Sequence, residues 1–198
     1  MITRSMGVLG RSLLLFIMTL SISCGKRVST KADLTSFVND PENGLIKTTR
    51  VNQINAELKY KPWQLMAIGS NRSQMRSVNS FKNKYFFVLS LSAGNKELLK
   101  QLPFDQYSEM VQVLSFRMMT YIVLIPDRDK PVIPEDCLFQ QTYGLARANQ
   151  LLIVFDKTKL KKSKQLQIKI KEFGLGTGDL NFQFNTDKIQ DLPATAFN

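Results

Sequence analysis

The residues with the densest chemical potential in this chain are basic. Lys157, Lys159, Lys161, Lys162 and Lys164 form one tract, and Lys169 and Lys171 continue it on the next segment. Ammonium groups packed this closely attract anions: acidic headgroups, acidic glycans or nucleic acid. The tract belongs to a chain with a formal charge of +11. A solvated strand edge that uses lysine against edge-to-edge pairing is the plainer account of the same residues. The chain contains no histidine, so the commonest general base and the commonest metal ligand are both missing.

Four other groupings test negative for chemistry. Gly174, Gly176 and Gly178 could cradle a phosphate, but a dinucleotide fingerprint needs a helix after its glycines. Here an alternating strand pattern follows, so the glycines read as a hairpin turn. Cys137 has no histidine to make it a thiolate and stands beside Leu138 and Phe139, which predicts a small core residue. Ser163 and Lys164 are adjacent, and neighbours on an extended chain point apart. Asp127, Asp129, Glu135 and Asp136 could supply the carboxylate pair of a glycosidase or a weak calcium site. They sit among Pro126, Pro131 and Pro134 and read as solvated loop residues. The expectation is no catalytic residue, no metal and no cofactor.

The first residues carry a different signal. Arg4 and Arg11 precede a short apolar core, Leu13 to Leu20, and small Ser23 stands just before Cys24. A positive start, a short apolar run and a small-residue cut site define a secretory signal. The run is too short to span a bilayer, which takes about 20 residues. Leu20-Ser21-Ile22-Ser23-Cys24-Gly25 resembles the lipobox of bacterial lipoproteins, with Ser21 where that family more often has Leu. The resemblance implies cleavage before Cys24, with diacylglycerol on its sulfur and an acyl chain on its new amino group. Several chains hold a protein on a membrane where one would not. In that family acidic residues after the cysteine can direct a protein to the cell surface. Gly25-Lys26-Arg27 lacks them, which implies an outer-membrane anchor with the domain facing the periplasm. An exported chain meets little nucleic acid, so no nucleic-acid partner is expected.

These features divide the chain into a signal peptide (1–23), a lipidated cysteine with its polar tether (24–35) and one domain (36–198). Within the domain, Asp40 to Gly44 is a turn cluster. Ile54, Ala56, Leu58 and Tyr60 alternate with polar residues, which predicts a half-buried strand. Tyr85 to Leu91 predicts a central strand. Residues 69–80 read as a loop. Residues 95–114 are the best helical candidate, where Phe104, Tyr107, Met110, Val111 and Leu114 recur at helical spacing just after Pro103. Phe116 to Ile125 is rich in β-branched and aromatic residues and predicts a long strand. Further strands are expected at Leu138–Tyr143 and Leu151–Phe155. Leu166, Ile168 and Ile170 alternate around the glycines with Leu180, Phe182 and Phe184, the pattern of a β-hairpin.

Strands that do not alternate with helices predict a mainly β fold: an antiparallel, immunoglobulin-like β-sandwich with one short helix, or a β-barrel. The functional expectation is a lipid-anchored envelope module that binds or assembles without catalysis. Its partners would be the membrane, through the anchor, and an envelope protein or anionic glycan held by Lys157, Lys159, Lys161, Lys162 and Lys164. Two alternatives are an envelope hydrolase acting on glycans or cell-wall material, and a structural lipoprotein contacting outer-membrane lipid.

Overall fold

Alternating apolar and polar residues become sheet because period two places every apolar side chain on one face. A computed structural model describes residues 30–67, 80–127, 129–190 and 192. Cys24, its lipobox, Lys26, Arg27 and the expected loop at 69–80 lie outside the described residues, save Ser80. The strands are β1 (Ile46–Val51), β2 (Ile54–Lys61), β3 (Lys84–Ala93), β4 (Lys96–Glu97), β5 (Ile122–Pro126), β6 (Asp136–Gln140), β7 (Asn149–Asp156), β8 (Gln165–Ile170) and β9 (Leu180–Asn185). All pair antiparallel. One sheet runs β1-β2-β3-β7-β6 with β4 added to β3, and the second runs β5-β8-β9. Neither sheet closes into a barrel. The protein is thus mainly β and antiparallel.

The two sheets share one core. Leu58, Phe87, Leu89, Ile153 and Phe155 from the first meet Leu124, Ile168, Phe182 and Phe184 from the second. The rings of Phe87 and Phe184 join them at 5.0 Å between centroids. Ring pairs of this kind add about 0.5–1.5 kcal/mol to the area they bury. The expected C-terminal hairpin forms with its alternating apolar residues buried, and it pairs Ile168 with Phe182 and Leu166 with Phe184. Its connection is wider than a tight turn, running from Lys171 to Asp179.

Several elements differ from expectation. The expected strand at 116–125 is mostly helical. Helix α3 (Phe104–Gln112) passes through a π-helical turn (Val113–Arg117) into α4 (Met118–Tyr121), and β5 starts only at Ile122. Burial of Met110, Val113, Leu114 and Met118 along one face holds the helix past the point where β propensity would end it. Phe104, expected on the buried face, is exposed at the helix's first position. The strand expected at 138–143 is β6, and residues beyond Gln140 form a loop.

More than one helix is present. Helix α1 (Lys31–Asn39) begins inside the stretch read as tether, where Thr30 and Asp33 form a reciprocal capping box. It contacts α2 (Trp63–Ala67), which follows β2. Helix α5 (Thr186–Gln190) follows β9. No helix among the described residues is long and apolar enough to cross a membrane.

Candidate functional site

The lysine tract leaves β7 at Asp156 and returns to sheet at Gln165. Its path is held by local hydrogen bonds. Asp156 caps the 3-10 turn Lys157–Lys159 by accepting from the Thr158 amide at 2.9 Å and the Thr158 hydroxyl at 2.7 Å. Those two bonds, with the Lys84 ammonium, hold its carboxyl down at about 2. Lys84 bridges Asp156 and Glu135. Further along, the Lys161 amide donates to Asp129 at 2.9 Å and the Lys164 amide donates to Asp127 at 3.2 Å. From the other side, Thr186 donates its amide to the Lys164 carbonyl at 2.9 Å and its hydroxyl to the Ser163 carbonyl at 2.6 Å.

This frame produces a groove of about 410 Å³. Lys157, Lys161, Lys162 and Lys164 line it, Tyr85, Leu160 and Leu166 supply apolar surface, and Thr186, Asp187 and Gln190 complete the wall. Lys159 does not line the groove. Lys157 is the most constrained lysine: its ammonium lies 4.6 Å from the Tyr85 ring centroid and donates to the Lys82 carbonyl at 3.1 Å. Burial lowers its pKa. Lys161 keeps an exposed side chain 4.0 Å from Asp129. The groove can hold a phosphoryl, sulfate or carboxylate group by charge, with a ring or short alkyl part against Tyr85 and Leu160. Lysines act as point charges, so they set no bidentate geometry. The sequence pointed to the lysines. Tyr85, Thr186 and Gln190 carry no such signal, because they enter from segments far away in the chain.

The other groupings have structural roles. The glycine-rich connection is a nest for backbone amides, and Glu172 fills it. The Glu172 carboxylate accepts from the amides of Gly174, Leu175 and Gly176 at 2.8, 2.6 and 2.9 Å and from the Thr177 hydroxyl at 3.0 Å. Burial raises its pKa, and these bonds outweigh that and lower it. Cys137 is a half-buried free thiol against the core. Burial, then the Asp136 charge, pushes it up to about 12, so it stays protonated. Asp136 accepts from the Cys137 amide at 2.8 Å and Glu135 pairs with Lys84. Asp127 and Asp129 serve backbone amides of the lysine loop. No group of three or more His, Cys, Asp or Glu side chains among the described residues could hold a metal ion.

No family model, no curated protein and no solved structure matches this chain.

Proposed function

We propose that the chain is a lipid-anchored protein of the bacterial envelope that binds an anionic ligand without catalysis. Its domain is a β-sandwich of immunoglobulin-like type, held at the outer membrane through Cys24 and facing the periplasm. Support for the anchor is the short apolar run ending in Ser23-Cys24. Support for the sandwich is the pair of antiparallel sheets sharing one core.

The observation that carries the binding role is the groove, where four lysines meet one carboxylate, Asp187. Asp127 and Asp129 accept from amides of the same loop, and Asp129 also lies 4.0 Å from the Lys161 ammonium. Envelope glycans and phosphorylated headgroups both offer anions of this size. The test is titration of an acidic oligosaccharide and of inorganic phosphate into the protein at low and high salt. Replacement of Lys161, Lys162 and Lys164 by Gln should weaken binding and flatten its salt dependence. Unchanged affinity in that variant would remove the groove from the function. The anchor is tested separately with labelled fatty acid, where label retained by Cys24→Ser would refute lipidation at that residue.

A further inference from the structure

The chain enters its domain at the same end that carries the lysine groove. Strands β2, β5 and β7 finish at that end, while β3 and β8 begin there: Lys61 pairs with Phe86, Lys84 with Asp156 and Pro126 with Leu166. Helix α2 follows β2 directly, and the Lys82 ammonium lies 5.2 Å from the centroid of its Trp63 ring. Lys157 of the groove donates its ammonium to the Lys82 carbonyl at 3.1 Å and its amide to the Asn83 carbonyl at 2.9 Å. Helix α1 contacts α2, and Asn39 at its end accepts from the Lys59 ammonium of β2 at 2.9 Å. Thr30, the N-cap of α1, is thus joined to the groove through α1, α2, Lys82 and Lys157.

The capped start of α1 shortens the tether. Cys24 stands six positions before Thr30, and at about 3.6 Å per residue that stretch reaches no more than about 22 Å. The positive charge is gathered at this end as well. The five tract lysines with Lys82, Lys84 and Lys188 stand against Asp127, Asp129, Glu135, Asp156 and Asp187, eight cations to five carboxylates. The side chains of Asp156 and Asp129 are 18% and 15% exposed, whereas that of Lys161 is 79% exposed. Lys159, Lys162 and Lys164 are exposed too. The cations therefore reach further into solvent than the two carboxylates that hold their loop. At the other end of the sheet, beyond Leu91 and Asn149, Lys96, Lys100 and Arg147 are matched by Glu97, Asp105 and Glu109.

We propose that the lysine groove faces the leaflet that carries the Cys24 anchor and takes the phosphate of its anionic headgroups. This rests on the anion-binding reading of the groove and on lipidation of Cys24, and it names the source of the anion. The short tether holds the α1 end of the domain at the bilayer, and the groove opens at that same end. Near-surface lysines act within about 10 Å of an anionic leaflet at 0.1 M salt, so a domain held this closely keeps its tract in range. Tyr85 and Leu160, also in the groove, suit the glycerol and first methylenes beside a headgroup phosphate.

The test reads which end lies on the bilayer. The mature chain, from Cys24 onward, is purified from bacterial membranes and reconstituted into vesicles bearing a dansyl-labelled headgroup. Trp63, the chain's single tryptophan, is the energy-transfer donor at the groove end. A second chain carries Trp63→Phe and Leu145→Trp, which moves the donor to the opposite end, where Leu145 is 93% exposed. On phosphatidylglycerol-containing vesicles, transfer from Trp63 should exceed transfer from position 145. On neutral phosphatidylcholine vesicles, where the tether acts alone, transfer from Trp63 should fall. Replacing Lys161, Lys162 and Lys164 by Gln should weaken docking on phosphatidylglycerol about fivefold for each lysine removed. Equal transfer from both positions, or a Trp63 signal unmoved by the Gln replacements, would overturn the proposal. So would an acidic oligosaccharide that fills the groove without lowering transfer from Trp63, an outcome that keeps the anion-binding reading and removes the bilayer as its source. A chain that carries no lipid at Cys24 overturns it too, because no tether then sets the orientation.

Discussion

The carboxylate of Glu97 and the amide of Gly144 stand 2.6 Å apart, although 47 positions separate them in the chain. One buried side chain on β4 therefore organises the loop between β6 and β7. Burial raises the Glu97 pKa. The bonds from Thr142, Ala146 and Gly144, with the Lys100 charge, outweigh burial and leave it below its ordinary value.

That relationship has a pH signature. A carboxylate depressed in the folded state stabilises fully above its unfolded value, about 4.3, and loses that contribution as pH falls through its lower folded value. Glu97→Gln should cost about 1–3 kcal/mol at neutral pH, because its amide group meets donors where an acceptor is needed. The wild-type and variant melting curves should differ at neutral pH and converge in acid. A gap between them that persists unchanged below the folded pKa would contradict the clamp.

Tyr143 provides the opposite test. Its left-handed backbone favours Asn, so Tyr143→Asn should raise stability by about 0.5–1 kcal/mol in denaturant unfolding. A loss of stability would show that the ring contributes more to folding than its backbone strain subtracts.

The C-terminal hairpin predicts a contrast between neighbours. Ile168 and Phe182 are buried and face each other. Ile168→Ala or Phe182→Ala should cost about 2–5 kcal/mol through lost burial and a residual cavity. Lys169 pairs with Asp179 at 2.8 Å on a partly exposed face, so Lys169→Ala should cost about 1 kcal/mol or less. Equal losses at positions 168 and 169 would contradict the register.

Cys137 should be nearly inert in the folded protein. With the thiol pushed up to about 12 by burial and by Asp136, little thiolate exists at neutral pH. A thiol reagent should react with it slowly in buffer and rapidly in denaturant. Fast reaction of the native protein would place the thiol in an accessible, activated setting.

Much of the sheet structure was legible because its signal is local. Ile54 to Tyr60 and Leu166 to Phe184 state their faces by alternation alone, since period two needs no knowledge of the partner. The tether reading of 24–35 misses helix α1, although Thr30 and Asp33 carry its capping box within four consecutive residues. The segment after Leu114 was not legible. Its β-branched and aromatic residues have strand propensity, and propensity is a weak force. Packing of Val113, Leu114 and Met118 into the core overrides it and leaves Phe116 exposed on the other side.

Local sequence was enough to set the charge of the lysine tract, the inward face of each hairpin strand and the short apolar run ending at Cys24. Each depends on residues within a few positions of one another. It took packing in three dimensions to join Tyr85 and Thr186 to those lysines in a groove, to seat Glu172 in the glycine nest, and to let Glu97 hold Tyr143 out in water. The groove and the Glu97 clamp join residues brought together by strand pairing across tens of positions, a relation that spacing does not record. Glu172 lies close to its glycines in sequence, but only the fold of the backbone turns their amides toward one carboxylate.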